Sequence, residues 1–113
     1  MGAPGPGVVV LVRFPFSDLS SSKLRPAVVL AHAGGVDWVL CQVTSNPYGD
    51  PTAIPLGPAS FASGGLGRES FVRPAKLFTA SQALMVKTAG VLTHEARQEV
   101  IGRVVAVLES GGK

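Results

Sequence analysis

The chain has one cysteine, Cys41, among 113 residues. A single thiol cannot form an internal disulfide, so nothing ties the protein to an oxidising compartment. Cys41 reads instead as a small buried hydrophobe. Charge is scarce too: 15% of residues are Asp, Glu, Lys or Arg, against 46% hydrophobic. That balance excludes an intrinsically disordered chain. It also leaves few charges to cover the outside, which leans toward a dimer or another lasting partner. No apolar run approaches the roughly 18–20 residues that a membrane span needs. The start, MGAPGPGVVVLV, has no basic segment before its short apolar run and does not read as a signal peptide. A cytoplasmic protein is expected. The two histidines, His32 and His94, and Cys41 show no C-x-x-C or H-E-x-x-H spacing, so no metal site is expected. GGLGRES at 64–70 has no GK[ST] and no following helix signal, so it is not a P-loop.

What is present fits one small domain, with a flexible leader over residues 1–6, a single domain over 7–109 and a tail over 110–113. The net charge of +3 leans toward an anionic partner such as RNA or an acidic protein tail. Val8–Phe14 is β-branched and short, and reads as a strand buried on both faces. A loop of about ten residues follows, long enough to suggest function. Ala27–His32 and Asp37–Thr44 read as a hairpin, with AGGV between them. TAIPL gives a short edge strand, because Pro55 cannot donate to a ladder. Residues 57–70 read as a long glycine-rich loop. SFVRP is a short strand, KLFTASQALM a strand end plus a helical turn, and VKTAGVL a sixth strand. Thr93 is an N-cap, and Glu95 sits where the helix dipole favours it. Ala96, Val100, Val104 and Val107, joined by Ile101, Val105 and Leu108, form the apolar face of a C-terminal helix. Short strands closed by one helix point to a mainly β fold, a small curved barrel that removes exposed edges.

The chemistry narrows to few residues. Nothing in the sequence makes His32 and His94 converge as an acid–base pair. Cys41 has no activating neighbour. Arg25 stands directly before Pro26, so its backbone is pushed to extended geometry at the mouth of a strand. Its planar fork of five donors stays charged and suits a phosphate that gathers negative charge in a transition state. Thr44 ends the neighbouring strand, so its hydroxyl can reach the same phosphate. Taken alone, Arg25 fits a surface salt bridge, for instance with Asp18, better than a catalytic role.

Several motifs together resemble the MazF/PemK family, the toxin halves of bacterial toxin–antitoxin pairs. They are G-x-V-x-x-V-x-F-P-F-S-D at Gly7–Asp18, K-x-R-P-A-V-V-L at Lys23–Leu30 and C-Q-V-T-S at Cys41–Ser45. GGL at 64–66, S-F-V-R-P-x-K-L at Ser70–Leu77 and the closing G-V-L plus helix complete the pattern. The resemblance covers about residues 7–108. It implies an SH3-like barrel with a C-terminal α-helix, usually a homodimer. It implies a metal-independent endoribonuclease that cuts single-stranded RNA at short sequences and needs no cofactor. It also implies an antitoxin whose acidic, disordered tail covers the RNA groove. Carried over by motif, the catalytic pair is Arg25 and Thr44. Phe16, Ser17, Asp18 and Lys23 would wall the groove, with Phe16 either stacking on a base or anchoring the loop. Ser45, Asn46 and Tyr48 follow Thr44 and can read or stack on bases. Ser70, Arg73 and Lys76 lie in a matching segment, with Ser70 favoured for a structural part. Arg68 fits a phosphate contact, though a solvated loop charge is favoured. The Gly/Ala-rich stretch at 57–67 has few polar side chains to read bases, a departure that bears on the cleavage sequence. Two other readings stay open: an SH3-like binding module without chemistry, and a CcdB-like toxin aimed at gyrase, which would not need the RP and TS pair.

Overall fold

The computed structural model of the chain describes residues 4–15 and 22–111. Seven antiparallel strands form one curled half-barrel sheet, closed by a single helix. In chain order they are β1 Val8–Pro15, β2 Ser22–Gly34, β3 Asp37–Thr44, β4 Ile54–Leu56, β5 Phe61–Gly64, β6 Ser70–Ser81 and β7 Met85–Leu92. The helix, α1, spans His94–Ser110. Across the sheet the order is β4-β6-β3-β2-β1-β7-β5.

The β-branched runs account for the centre. Successive residues of a strand point to opposite faces, and here both faces are covered. Val9, Val28, Cys41, Val43, Val72 and Leu92 pack on one side, under Val100 and Val104 of α1. Val10, Val12, Ala27, Val29, Leu40, Ala80 and Met85 form a second cluster on the other. VVVLV and AVVL are therefore continuous rather than alternating. Both edge strands are short, three residues in β4 and four in β5, which limits edge-to-edge pairing. Pro55 lies on the edge strand β4, as its missing N–H requires.

Three elements differ from the sequence-based expectation. The stretch at 57–70 is not all loop: a 3-10 turn at Pro58–Ser60 leads into β5, which pairs with β7. The pairing depends on Gly64 and Gly90. A Cβ on Gly90 would lie 2.8 Å from both Phe61 Cδ2 and the Ser63 carbonyl oxygen, and one on Gly64 would strike the Ala89 carbonyl. Second, the short strand and the strand end expected around Pro74 are one continuous strand, β6, that runs to Ser81, and the expected helical turn follows it at Gln82–Leu84. The register of β6 on β3 slips from Val43↔Val72 to Cys41↔Leu77, and that slip accommodates a residue with no N–H. The Cys41 thiol donates to the Arg73 carbonyl in this irregular segment, at 2.9 Å. Third, α1 buries Val100 and Val104 but leaves Val105 and Leu108 exposed, so its covered stripe is narrower than the sequence pattern. The helix begins as expected: Thr93 Oγ1 accepts from the Ala96 N–H at 3.1 Å. No helix among the described residues is long and apolar enough to cross a membrane.

Candidate active site

The site is built on the central strands. The β2–β3 ladder pairs Ala27 with Gln42. Continuing that register by two residues sets Arg25 across from Thr44. On its other side Arg25 pairs with Val12 of β1. Pro26 holds this part of β2 extended, and the buried Ala27-Val28-Val29 behind it anchors the strand. Arg25 is half-buried, and Thr44 is 8% exposed.

Both residues line one cleft of about 290 Å³, together with Ser45, Arg68 and Ser70 and an apolar lining that includes Leu24 and Leu66. Thr44 Oγ1 accepts from the Asn46 N–H at 3.1 Å. That contact uses a lone pair and leaves the hydroxyl proton available to donate. It also fixes the side chain. Ser70 is buried and donates to the Arg68 carbonyl at 3.3 Å, a local contact that fixes this segment of the cleft wall.

A chain of polar contacts holds the segment after Thr44. The Tyr48 N–H donates to Asn46 Oδ1 at 2.9 Å. Tyr48 takes a left-handed backbone, φ 53°, which an L side chain seldom adopts. Its exposed ring lies over the Arg73 guanidinium, 5.5 Å from ring centroid to Cζ. Arg73 Nε donates to Asp50 Oδ2 at 3.1 Å. Asp50 Oδ1 accepts from the Thr52 N–H at 2.8 Å and from the Thr52 hydroxyl at 2.6 Å. The Thr52 bonds first, and Arg73 after them, hold the Asp50 carboxyl below its ordinary value of 3.8.

The structure thus gathers Arg25, Thr44, Ser45 and Ser70 into one cleft. Asn46, Tyr48 and Arg73 stand beside it in the network just described, outside the lining, and Arg73 is engaged by Asp50. Lys23 and Lys76 are exposed and do not line it. Phe16, Ser17 and Asp18 lie outside the described residues. Arg68, weighed from the sequence as a phosphate contact but favoured as a solvated loop charge, is exposed and also lines the cleft. Only its place two residues before Ser70 hinted at that. His32 Nε2 sits 2.8 Å from the Gly35 carbonyl and its ring lies edge-on to Trp38, while His94 is exposed at the start of α1. Neither lines the cleft. Burial pushes the Cys41 thiol up to about 12, so it is no nucleophile.

Comparison with known proteins agrees with this architecture. A family model described as PemK-like, MazF-like toxin of type II toxin-antitoxin system matches residues 6–108. Among solved structures, MazE–MazF from Deinococcus radiodurans is 20% identical, with a TM-score of 0.77 over 96% of this chain and 98% of that chain. A mycobacterial endoribonuclease in complex with its cognate antitoxin is 18% identical, with a TM-score of 0.74 over 96% of both chains. The Mycobacterium tuberculosis toxin MazF-mt6 is 15% identical, with a TM-score of 0.69 over 90% of this chain and 96% of that chain. No curated protein matches the chain. At these identities the structural likeness is one of fold, and the family is carried by the match across residues 6–108. With that match, the chain belongs to the PemK-like, MazF-like toxins of type II toxin–antitoxin systems.

Proposed function

We propose that the chain is a sequence-specific endoribonuclease that cuts single-stranded RNA without a metal, with Arg25 and Thr44 as its catalytic pair. One observation carries the reading: two residues far apart in the chain, a fixed cation and a hydroxyl with a proton to donate, line the same cleft. A ribose 2′-oxygen gives up its proton and attacks the adjacent 3′-phosphate. The new P–O2′ bond forms as the P–O5′ bond breaks, and the departing 5′-oxygen takes a proton. The products are a 2′,3′-cyclic phosphate and a 5′-hydroxyl. The nucleophile belongs to the substrate, so proximity supplies much of the rate. Arg25 keeps its charge at any working pH and offsets the charge that develops on the phosphorane. Thr44 donates to a phosphate oxygen. Ser45, Arg68 and Ser70 line the path of the strand, and Asn46, Tyr48 and Arg73 stand beside it.

The partners follow from this reading. A cognate antitoxin with an acidic, disordered tail complements the cationic groove and covers it. The toxin acts as a homodimer in the cytoplasm. Purified protein incubated with single-stranded RNA in EDTA is expected to leave 2′,3′-cyclic phosphate and 5′-hydroxyl ends. Arg25→Ala and Thr44→Val each lower the single-turnover rate by about 10²–10³. Cleavage that appears only with added divalent metal would overturn the mechanism.

A further inference from the structure

The larger of two neighbouring cavities does not contain Arg25 or Thr44. It holds about 460 Å³ and adjoins the cleft, sharing Leu66 and Arg68 with it. That volume falls within the ~300–1,000 Å³ range of small-molecule sites. Leu56, Phe61 and Leu66 give it apolar surface. Four glycines, at 57, 64, 65 and 67, leave much of the rest as bare main chain. Among the described residues, no turn or loop hydrogen bond ties the peptide groups of Leu66, Gly67 or Arg68 to other main chain. Apart from the Arg68 carbonyl, which accepts from Ser70 Oγ, those groups are open to a ligand.

Glu69 completes the lining, and its sign is the informative feature. A carboxylate beside a bound polyanion is repelled unless it accepts hydrogen bonds from it. Phosphates cannot donate, but base edges can. Single-stranded RNA presents its bases unstacked, with their Watson–Crick edges free. Guanine offers two adjacent donors there, N1–H and N2–H, which a carboxylate can accept in parallel. Adenine and cytosine set one amino donor beside an acceptor nitrogen. Uracil has one donor between two carbonyls. The apolar surface of Phe61 and Leu66 suits the faces of a base, and Arg68 on the shared wall suits the phosphate that links the two cavities.

We propose that this cavity binds one unstacked guanine of the RNA strand lying in the cleft, with Glu69 selecting it, an inference that rests on the endoribonuclease reading. The main chain and one carboxylate then supply the base recognition that the glycine-rich sequence lacks in polar side chains.

The test uses 2′-O-methyl heptamers, UUUXUUU with X as G, A, C or U, which carry no nucleophile and cannot be cut. Fluorescence anisotropy with the intact protein is expected to show the G heptamer binding about tenfold tighter than the others. Glu69→Gln should erase that gap. So should Gly65→Leu, a pocket-filling change at a position where an added Cβ meets nothing within 4 Å. Equal binding of all four heptamers, no binding of any, or a G preference that survives both variants overturns the inference. Cleavage of RNA in EDTA by the same preparation separates the two claims. RNA cut without guanine preference sinks the guanine site alone. A guanine-selective protein that leaves RNA intact sinks the ribonuclease reading alone.

Discussion

Two segments meet at the cleft, and they are built in opposite ways. Residues 44–52 are held by side chains: Thr44, Asn46, Asp50 and Thr52 each accept or donate within the segment, and Arg73 clamps it to β6. Residues 57–69 are shaped by the lack of side chains. β5 lies against β7 because Gly64 and Gly90 let two backbones approach. The first construction fixes one hydroxyl in one orientation, as a reaction needs. The second leaves a cavity, as a ligand needs. Under the proposed function, chemistry and shape fall to different segments of a small domain.

The contrast can be broken at its strongest point first. Gly90→Ala should drive a Cβ into the Ser63 carbonyl oxygen and the Gly65 nitrogen, main chain that cannot step aside, and against the Phe61 ring. A loss of about 2–3 kcal/mol in urea unfolding is expected, the upper part of the usual overpacking range. An unchanged midpoint would mean that β5 is not pinned by backbone approach. Asp50→Ala comes next. It removes the acceptor of Arg73 and of both Thr52 donors, and should cost about 1–2 kcal/mol at pH 7. Because the Asp50 carboxyl titrates below 3.8 in the folded protein, its contribution is present above that value and is lost as pH falls through the folded value. The deficit of Asp50→Ala relative to the parent should therefore be flat from pH 7 to about 5 and shrink below 3.8. A deficit that grows on acidification would contradict the assignment. Arg68→Ala marks the small end. Its side chain is exposed, so stability should stay within about 0.5 kcal/mol of the parent by the same unfolding measurement.

These two segments also differ in how readable they are. The runs VVVLV and AVVL show strands directly, and the AGGV turn fixes the β2–β3 hairpin. Arg25 and Thr44 stand out only through the family motifs: the proline and the strand end give each a defined place, but taken alone Arg25 reads as a surface charge. β5 escapes such reading, since FASG carries no alternation and two glycines follow closely. Its partner glycine, Gly90, lies far along the chain, and only folding brings the two together. β6 is cut short on paper at Pro74 because the compensating bulge and the Cys41 thiol bond are tertiary. Arg73 and Arg68 show the same limit. Both are arginines in one stretch, yet one is engaged by Asp50 and the other lines the cleft, a distinction set by residues distant in sequence.

The strand order has a consequence for how the molecule can change. Arg25 and Thr44 sit on β2 and β3, interior strands with neighbours on both sides. Exchange of backbone amides in the middle of such strands requires opening that approaches global unfolding. The adjoining cavity takes part of its wall from β5, an edge strand of four residues with one neighbour. Edges open locally and at lower free energy. Substitutions around β5 can therefore reshape the cavity while the interior strands continue to present Arg25 and Thr44 to the same cleft.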